Sequence, residues 1–445
     1  MRKEKKHVGL LMLALCIMLS GCGSEQKKKT PPHAEGDVVN IYCWNTEFKD
    51  LYEAYATDLA KSHGVEVNFV VITNDYSAYQ TNLDEALEKQ NEAIDDDKVD
   101  IFLVEADYAS KYVKSDNTLD VVKDIGLTKD DMSQQYQYTK DIVSEDSAIK
   151  GVSWQATPGL FAYRRSIAKQ VLGTDDPVKV QEKLKDWDSF DKVAEQMNRA
   201  GYKALSGYDD SFRVFSNNMS GPWVVNNKIQ LDDNILRWVE QTKMYSENGY
   251  NNKTILWSPQ WSTDQGPEGK VFGFFYSTWG INFTLMGNSL ADSNAEAKVG
   301  NGIYGDYAVC EGPQPYYWGG TWICAAKGTD NIPFIKDLMY RLTCDADTMK
   351  QITLDTLDYT NNQSAMEEIA SSDYGSDFLG GQNHIALFAE AAKKIDMSHV
   401  TEYDNDLNES FQEAMHSYFE GKTDYDTALD HFYSMVLEKY KDLSR

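Results

Sequence analysis

The sequence predicts an α/β fold built from more than one compact unit. At 445 residues, the chain is longer than one small core requires. Its first part alternates strands and helices, which indicates a parallel sheet with right-handed crossovers. Two later runs, residues 150–165 and 316–326, place glycine inside strand-like sequence, and the first also contains proline. Such breaks are typical of a strand that bends or passes between units.

An export signal precedes the folded part. Four positive charges within residues 2–6 lead into an apolar stretch, residues 8–19, which has the length of a signal peptide and is too short to span a bilayer. The following Leu19-Ser20-Gly21-Cys22 resembles the lipobox of bacterial lipoproteins. That resemblance implies cleavage after residue 21 and anchoring by two or three acyl chains carried on Cys22. An ordinary secretory signal with an incidental cysteine is the alternative.

The alternation of elements begins after a polar segment, residues 22–36, that predicts a flexible tether. Hydrophobic patterns predict strands at residues 38–44, 65–72 and 100–104, with helices at 47–62 and 76–94. In parallel sheets, ligands bind beyond the carboxyl ends of the strands. The residues at those ends are Trp44, Asn45, Glu47, Glu105 and Asp107.

The remaining chain is mainly helical, with one further strand that is important for the site. Residues 271–275 read as a strand core that delivers Trp279 and Gly280 at its end. Helices are predicted at residues 187–198, 235–248, 332–342, 348–354, 386–395, 407–419 and 425–440. No internal repeat is present.

Composition excludes several classes of function. A formal net charge of −27 makes a poor nucleic-acid binder and gives no attraction to anionic lipid. The sequence contains no phosphate-binding loop, nucleophile elbow or zinc-binding helix, and we predict neither a cofactor nor a metal. Residues 300–305 match the dinucleotide fingerprint in letters, but no helix pattern follows. Residues 404–408 begin like a calcium loop, which then lacks the required glycine because Glu409 stands there.

Cysteine and histidine usage narrows the chemistry further. Four widely spaced cysteines in apolar contexts, Cys43, Cys310, Cys324 and Cys344, lack the close pairing of a zinc site. We expect four buried free thiols, with a disulfide left open as an alternative. No histidine lies between His63 and His384. An enzyme active site in that region would have to work with carboxylates alone, as glycosidases do.

Several short motifs occur in an order that resembles one known family. After the lipobox and Trp44-Asn45 come TPGLFAY at residues 157–163, WDSF at 187–190, and Trp279-Gly280. GGTWICAA at 319–326 and FEGK at 419–422 complete the order. Together they resemble the extracellular solute-binding proteins of carbohydrate ABC importers, the group that includes maltodextrin-binding protein.

The resemblance implies a two-lobed periplasmic-binding-protein fold, type II-like, with hinge strands and a ligand cleft between the lobes. Mapped onto this chain, the N-terminal lobe comprises residues 37–158 and 320–380. The C-terminal lobe comprises residues 159–319 and 381–445. The polypeptide would then cross between the lobes three times.

The same resemblance suggests which residues bind the ligand. Aromatic rings stack on the C–H faces of sugars, and carboxylates or amides accept from their hydroxyl groups. The tryptophans that could provide such faces are Trp44, Trp154, Trp223, Trp257, Trp261, Trp279, Trp318 and Trp322. The other candidates for ligand contact are Asn45, Glu47, Glu105, Asp107, Asp209 and Gly320. The family's pattern favours Trp44, Glu47, Trp279 and Trp322 first.

We therefore predict a non-enzymatic, monomeric lipoprotein on the outer side of the cell membrane. It would capture an oligosaccharide by hinge closure and deliver it to the permease of an ABC transporter. Three alternatives stay open at this point: a surface glycoside hydrolase that uses two carboxylates, an adhesin without a cleft, and a binding protein for a non-sugar solute. Arg213 could clamp an anionic ligand of that last kind.

Overall fold

A computed structural model describes residues 36–74 and 77–445. The predicted leader and Cys22 lie outside these residues. Residues 35–445 form one compact unit. The strands are β1 Val38–Cys43, β2 Glu66–Val71, β3 Ile101–Glu105, β4 Ser144–Glu145, β5 Ala148–Ile149, β6 Val152–Ser153, β7 Gly159–Arg164, β8 Val224–Val225, β9 Lys228–Ile229, β10 Gly273–Ser277, β11 Tyr307–Cys310 and β12 Thr321–Ala325.

Helices make up most of the remaining regular structure. In the first half of the chain they are α1 Glu47–Tyr55, α2 Thr57–His63, α3 Ala78–Glu88, α4 Ala109–Val113, α5 Gln137–Asp141, α6 Arg165–Leu172, α7 Pro177–Lys183, α8 Trp187–Arg199 and α9 Phe212–Ser216. In the second half they are α10 Asp233–Asn248, α11 Pro259–Asp264, α12 Thr278–Gly280, α13 Ile332–Thr343, α14 Ala346–Thr356, α15 Gln363–Ala370, α16 His384–Ala392, α17 Asp404–Phe419 and α18 Tyr425–Lys439.

The first lobe is built on a five-stranded sheet with the order β2-β1-β3-β12-β6. The strands β1, β2 and β3 run parallel, as the strand–helix alternation predicts. Strand β12 pairs antiparallel with β3 and β6. The four apolar side chains of β3 are wholly buried, which is what a strand covered on both faces requires.

Most predicted helices are confirmed to within a few residues at their ends. There are two exceptions. The helix predicted at residues 76–94 ends six residues early, because α3 ends at Glu88. The helix predicted at residues 47–62 is divided into α1 and α2. Ala56 lies between them with φ −139°, outside the helical region. Helix α8 begins where Asp186 accepts a hydrogen bond from the Ser189 amide, a typical N-cap.

The second lobe is built on a three-stranded antiparallel sheet with the order β10-β7-β11. The sequence predicts one long strand at residues 150–165, and the structure shows two. Strand β6 belongs to the first sheet and β7 to the second, so the Pro158-Gly159 break marks a passage between lobes. The exact residue boundaries of the lobes remain a prediction.

Two passages between the lobes lie side by side. The amide of Gly159 donates to the Tyr316 carbonyl at 2.7 Å, and the amide of Trp318 donates to the Thr157 carbonyl at 3.2 Å. Pro158 and Tyr317 form the bridge between these two bonds. Thr157 has φ +38°, a strained value for a β-branched residue. The two passages therefore form a short antiparallel ladder at the hinge.

The four cysteines of the described region are free and buried, which confirms the prediction of free thiols. Burial raises the pKa of Cys43 to about 11 and that of Cys310 to about 12. Across residues 36–74 and 77–445, every helix is too short or too polar to cross a bilayer. The same residues contain no cluster of three or more side chains arranged to hold a metal ion.

Candidate functional site

Three tryptophans form a cluster where the second lobe meets the hinge. Trp257 lies face to face with Trp279, with ring centroids 6.1 Å apart and an interplanar angle of 20°. Trp318 meets Trp279 edge-on at 5.2 Å and 74°. Trp257 is 50% exposed, and nearby Phe283 is 70% exposed. Exposed aromatic surface next to a hinge makes this cluster a candidate site for a ligand with apolar faces.

The hinge fixes the orientation of Trp279. This residue follows β10, and its indole N–H donates to the Trp318 carbonyl at 2.9 Å. Gly319 follows Trp318 in the chain and has φ +72°. A Cβ at Gly319 would lie 3.2 Å from Trp279 Nε1. Glycine is therefore required both for the backbone conformation and for the approach of the indole.

The first lobe brings Glu105 to the same region. Glu105 Oε1 lies 3.7 Å from the position that a Cβ of Gly319 would occupy. Its other oxygen accepts from the Asp107 amide at 2.9 Å. Burial and the charge of Asp107 raise the pKa of Glu105, against the opposing effect of Arg213. Trp44 is half-buried and meets Tyr79 edge-on at 5.5 Å.

Asp107 and Arg213 form an ion pair that joins the lobes. Arg213 Nη1 donates to Asp107 Oδ1 at 2.7 Å, and Nη2 donates to Oδ2 in parallel. The side chains are 22% and 13% exposed, respectively. This geometry corrects two expectations, because Asp107 already accepts from a guanidinium and Arg213 already has its anion. Both residues thus contribute to the contact between lobes.

A second set of polar side chains surrounds Gln155, which lies just before the first passage between the lobes. The Gln155 amide nitrogen donates to Glu47 Oε1 at 2.8 Å and to Asp358 Oδ2 at 3.1 Å. Asp358 is 6% exposed and also accepts from the Tyr359 amide. Because one amide bridges these two carboxyl groups and Asp358 is buried, the pair is poorly placed for the acid and nucleophile roles of a glycosidase.

Glu47 gives the first testable expectation. Burial raises its pKa to about 8, with a further contribution from the Asp358 charge. Between the unfolded value of about 4.3 and this value, the folded protein retains a proton that the unfolded chain releases. Stability should therefore fall as pH rises through that window. We expect wild-type protein to lose stability relative to Glu47→Gln between pH 5 and pH 8 in urea unfolding. An unchanged difference between the two proteins would contradict this expectation.

Three tryptophans predicted to contact ligand are instead core residues. Trp154, Trp223 and Trp322 are each at most 1% exposed. Trp154 packs on Phe48 at 5.3 Å, and Trp322 donates to the Thr139 carbonyl at 2.7 Å. Trp223 donates to Asn408 at 2.9 Å. Their faces are filled by neighbouring side chains, so we correct their assignment to packing.

Other candidates have internal partners as well. Asp209 is buried and lies 2.7 Å from His416 Nε2, and we correct its role to a structural one. Asn45 accepts from the Glu47 amide at the start of α1. The Gly320 carbonyl accepts from the Ala106 amide at 3.1 Å, so this glycine contributes backbone to the base of the cleft. Trp261 is buried and donates to Asp210.

The structure therefore brings together Glu105, Trp279 and Trp318 around the hinge, whereas the ring contacts of Trp44 are with Tyr79 and Tyr108 of the first lobe. It adds Trp257 on top of Trp279, as well as the bridge made by Gln155 and Asp358. Sequence reasoning missed that bridge because its members are about two hundred residues apart. No local pattern signals such a contact. Trp257 was a candidate, but its position over Trp279 follows only from the fold.

Comparison with known proteins finds one family that matches the sequence and many solved structures that match the fold. A family profile described as bacterial extracellular solute-binding protein matches residues 54–374. The chain is similar to a crystal structure of an extracellular solute-binding protein of family 1, with 17% identity and a TM-score of 0.73 over 90% of this chain and 99% of the other. No curated protein matches the sequence significantly.

Two further similar structures come from bifidobacteria. An ABC-transporter-associated binding protein from B. animalis subsp. lactis, in complex with β-1,6-galactobiose, has 18% identity and a TM-score of 0.68 over 92% of this chain and 99% of the other. A galacto-N-biose/lacto-N-biose I-binding protein from Bifidobacterium longum has 12% identity and the same TM-score over 93% and 99%. These likenesses confirm the two-lobed fold.

Proposed function

The chain belongs to the bacterial extracellular solute-binding proteins, a family of binding proteins rather than enzymes, and on that premise we propose that it captures an oligosaccharide for an ABC transporter. The observation that carries this proposal is the tryptophan cluster at the hinge. Trp279 is partly exposed and offers aromatic surface from the second lobe, held in place by the buried Trp318 of the passage, while Glu105 offers a carboxyl group from the first. Aromatic faces and hydroxyl acceptors in one place suit a sugar.

Capture would work by closure of the lobes. A ligand that stacks on Trp279 and hydrogen-bonds to Glu105 contacts both lobes at once. It therefore binds the closed arrangement better than an open one and shifts the population towards it. The closed form would be what the permease recognises. The predicted lipid on Cys22 would hold a monomeric protein at the outer face of the membrane.

The charges near the cluster favour a neutral ligand. Arg213 is paired with Asp107 and is thus not free to hold an anion. Burial keeps the pKa of Glu47 at about 8, so that at neutral pH its carboxyl group is largely protonated and can both donate to and accept from hydroxyl groups. An uncharged sugar fits these groups without further ion pairing.

Thermal unfolding against a panel of sugars tests the proposal. The full chain, held in a detergent without a sugar headgroup, would be heated with monosaccharides, maltose, β-1,6-galactobiose and lacto-N-biose. A ligand at one hundred times its Kd stabilises the folded state by about 2.7 kcal/mol. We expect one or more oligosaccharides to raise the unfolding midpoint by several degrees and to be recovered intact.

The other outcomes separate the alternatives. A raised midpoint with cleavage of the glycan would identify a hydrolase. A raised midpoint only with charged or non-sugar solutes would retain capture and contradict the carbohydrate ligand. No shift with any solute, together with binding to a protein partner, would favour the adhesin.

A further inference from the structure

Trp257 differs from the other tryptophans of the cluster in how it is held. It has φ +66°, a left-handed conformation that is a true outlier for a bulky residue. Such strain persists only where surrounding contacts compensate for it, and it concentrates at functional positions. Trp257 is nevertheless half exposed. Its conformation is therefore maintained by few contacts.

Those contacts are aromatic and not polar. Trp257 packs against Trp261 at 5.1 Å and Trp318 at 5.9 Å, in addition to Trp279. Within residues 36–74 and 77–445, its indole N–H makes no hydrogen bond, whereas the indoles of Trp279 and Trp261 donate to Trp318 and Asp210. Trp279 is consequently fixed in place, and Trp257 can leave without breaking a hydrogen bond.

The face that Trp257 covers is the one that a sugar would need. Among the ring contacts of Trp279 in the described part of the chain, those with Trp318 and Phe283 are edge-on at 74° and 68°. Only Trp257 lies nearly parallel to it, in an offset stack with the ring centroids 6.1 Å apart, and so lies against part of that face. A pyranose ring stacks on an aromatic side chain through the same face. Trp257 and a sugar therefore compete for one surface.

We propose that Trp257 is a cover that occupies the Trp279 face in the empty cleft and that the ligand must displace. This inference rests on the proposed function, since it assumes a ligand that stacks on Trp279. The binding-competent form is then the minor population in which Trp257 has moved away. The apparent Kd is then the intrinsic Kd divided by the fraction of molecules in this form.

This arrangement sets a threshold on affinity. Displacing Trp257 has the same free-energy cost for every ligand that uses the Trp279 face. A ligand with few other contacts then binds too weakly to be captured, whereas a longer sugar with contacts to both lobes still binds. Trp257 thus lowers the affinity of every such ligand by the same factor, and only ligands with enough other contacts remain bound.

Binding measurements on three variants test the cover. Using β-1,6-galactobiose, lacto-N-biose and maltose as probes, we expect Trp257→Ala in the full chain to bind about tenfold more tightly than wild type, the gain for a roughly 10% uncovered population. The gain should lie in the association rate. Trp279→Ala should bind at least about tenfold more weakly. Tyr340→Ala, which removes a 42% exposed ring on α13 outside the tryptophan cluster, is the matched control and should change the affinity less than about twofold.

The outcomes are distinct for the two proposals. Weaker or unchanged binding by Trp257→Ala, with binding by wild type intact, would overturn the cover and leave the sugar receptor standing. Binding by Trp257→Ala of a sugar that wild type does not bind detectably would support the cover strongly. Absence of binding by both proteins would overturn the proposed function and this inference together. Thermal unfolding of each variant without sugar would show whether it is folded.

Discussion

Replacing Arg213 with methionine is expected to lower the free energy of unfolding by about 3 kcal/mol, the size seen when one partner of a buried ion pair is removed. Removal of one partner of a buried pair costs about 3–5 kcal/mol. We expect the lower end of this range because the side chains of Arg213 and Asp107 remain 22% and 13% exposed. Arg213 lies among several acidic groups, and its charge lowers the pKa of Glu105, Asp404 and Glu409 against their burial. Without it, Asp107 is left unpaired among like charges.

Urea unfolding of wild type and Arg213→Met at pH 7 measures this effect. The matched control is Arg237→Met, which removes an ion pair with Asp188 whose side chains are 44% and 78% exposed. Such a surface pair contributes less than about 1 kcal/mol. Addition of Asp107→Asn to Arg213→Met should restore part of the loss. Equal losses for the two arginine variants would show that the contact between lobes is not a stabilising ion pair.

Gly159→Ala is expected to destabilise the protein by about 3 kcal/mol or more, at the upper end for overpacking. A Cβ at this position would lie 2.2 Å from two atoms of the Tyr316 ring. Tyr316 cannot easily move, because its hydroxyl shares its single proton between the carbonyls of Leu160 at 2.8 Å and Tyr276 at 2.7 Å. The methyl group would have to separate the two passages of the hinge.

Chemical unfolding of Gly159→Ala, compared with Gly287→Ala, tests this expectation. Gly287 has helical φ and ψ of −60° and −46°, and a Cβ there meets no atom within 4 Å. Alanine at this position is expected to be neutral or stabilising by up to about 1 kcal/mol. If both variants had the same stability, the close approach of Tyr316 to the hinge would not be rigid.

The sequence predicts the architecture better than the site. Hydrophobic periodicity locates β1, β3, α10 and α17 because each buries a face in its own local pattern. The Pro158-Gly159 break indicates a passage between sheets because proline and glycine disfavour the interior of a strand. Sequence alone also selects Trp279, since it follows a strand end. All of these signals are carried by neighbouring residues.

Burial of individual tryptophans is not a local property. Trp322 and Trp318 are four residues apart and both buried, at 1% and 9% exposure, yet Trp322 packs inside the first lobe and Trp318 belongs to the hinge cluster. Which side of a strand each faces depends on partners more than one hundred residues away, such as Thr139. The pairing of Arg213 with Asp107 is likewise set by the approach of two lobes. Contacts of this kind can be identified only from the folded structure.

The ladder formed by Thr157 to Gly159 and Tyr316 to Trp318 limits how the molecule can change shape. Two backbones bound side by side bend together across their common plane, but they resist twisting and sliding past one another. The ladder thereby allows the lobes fewer directions of relative motion than two separate linkers would. Lobe surfaces far from the hinge consequently meet in the same alignment at every closure, and a membrane partner would encounter a small number of defined shapes instead of a continuum.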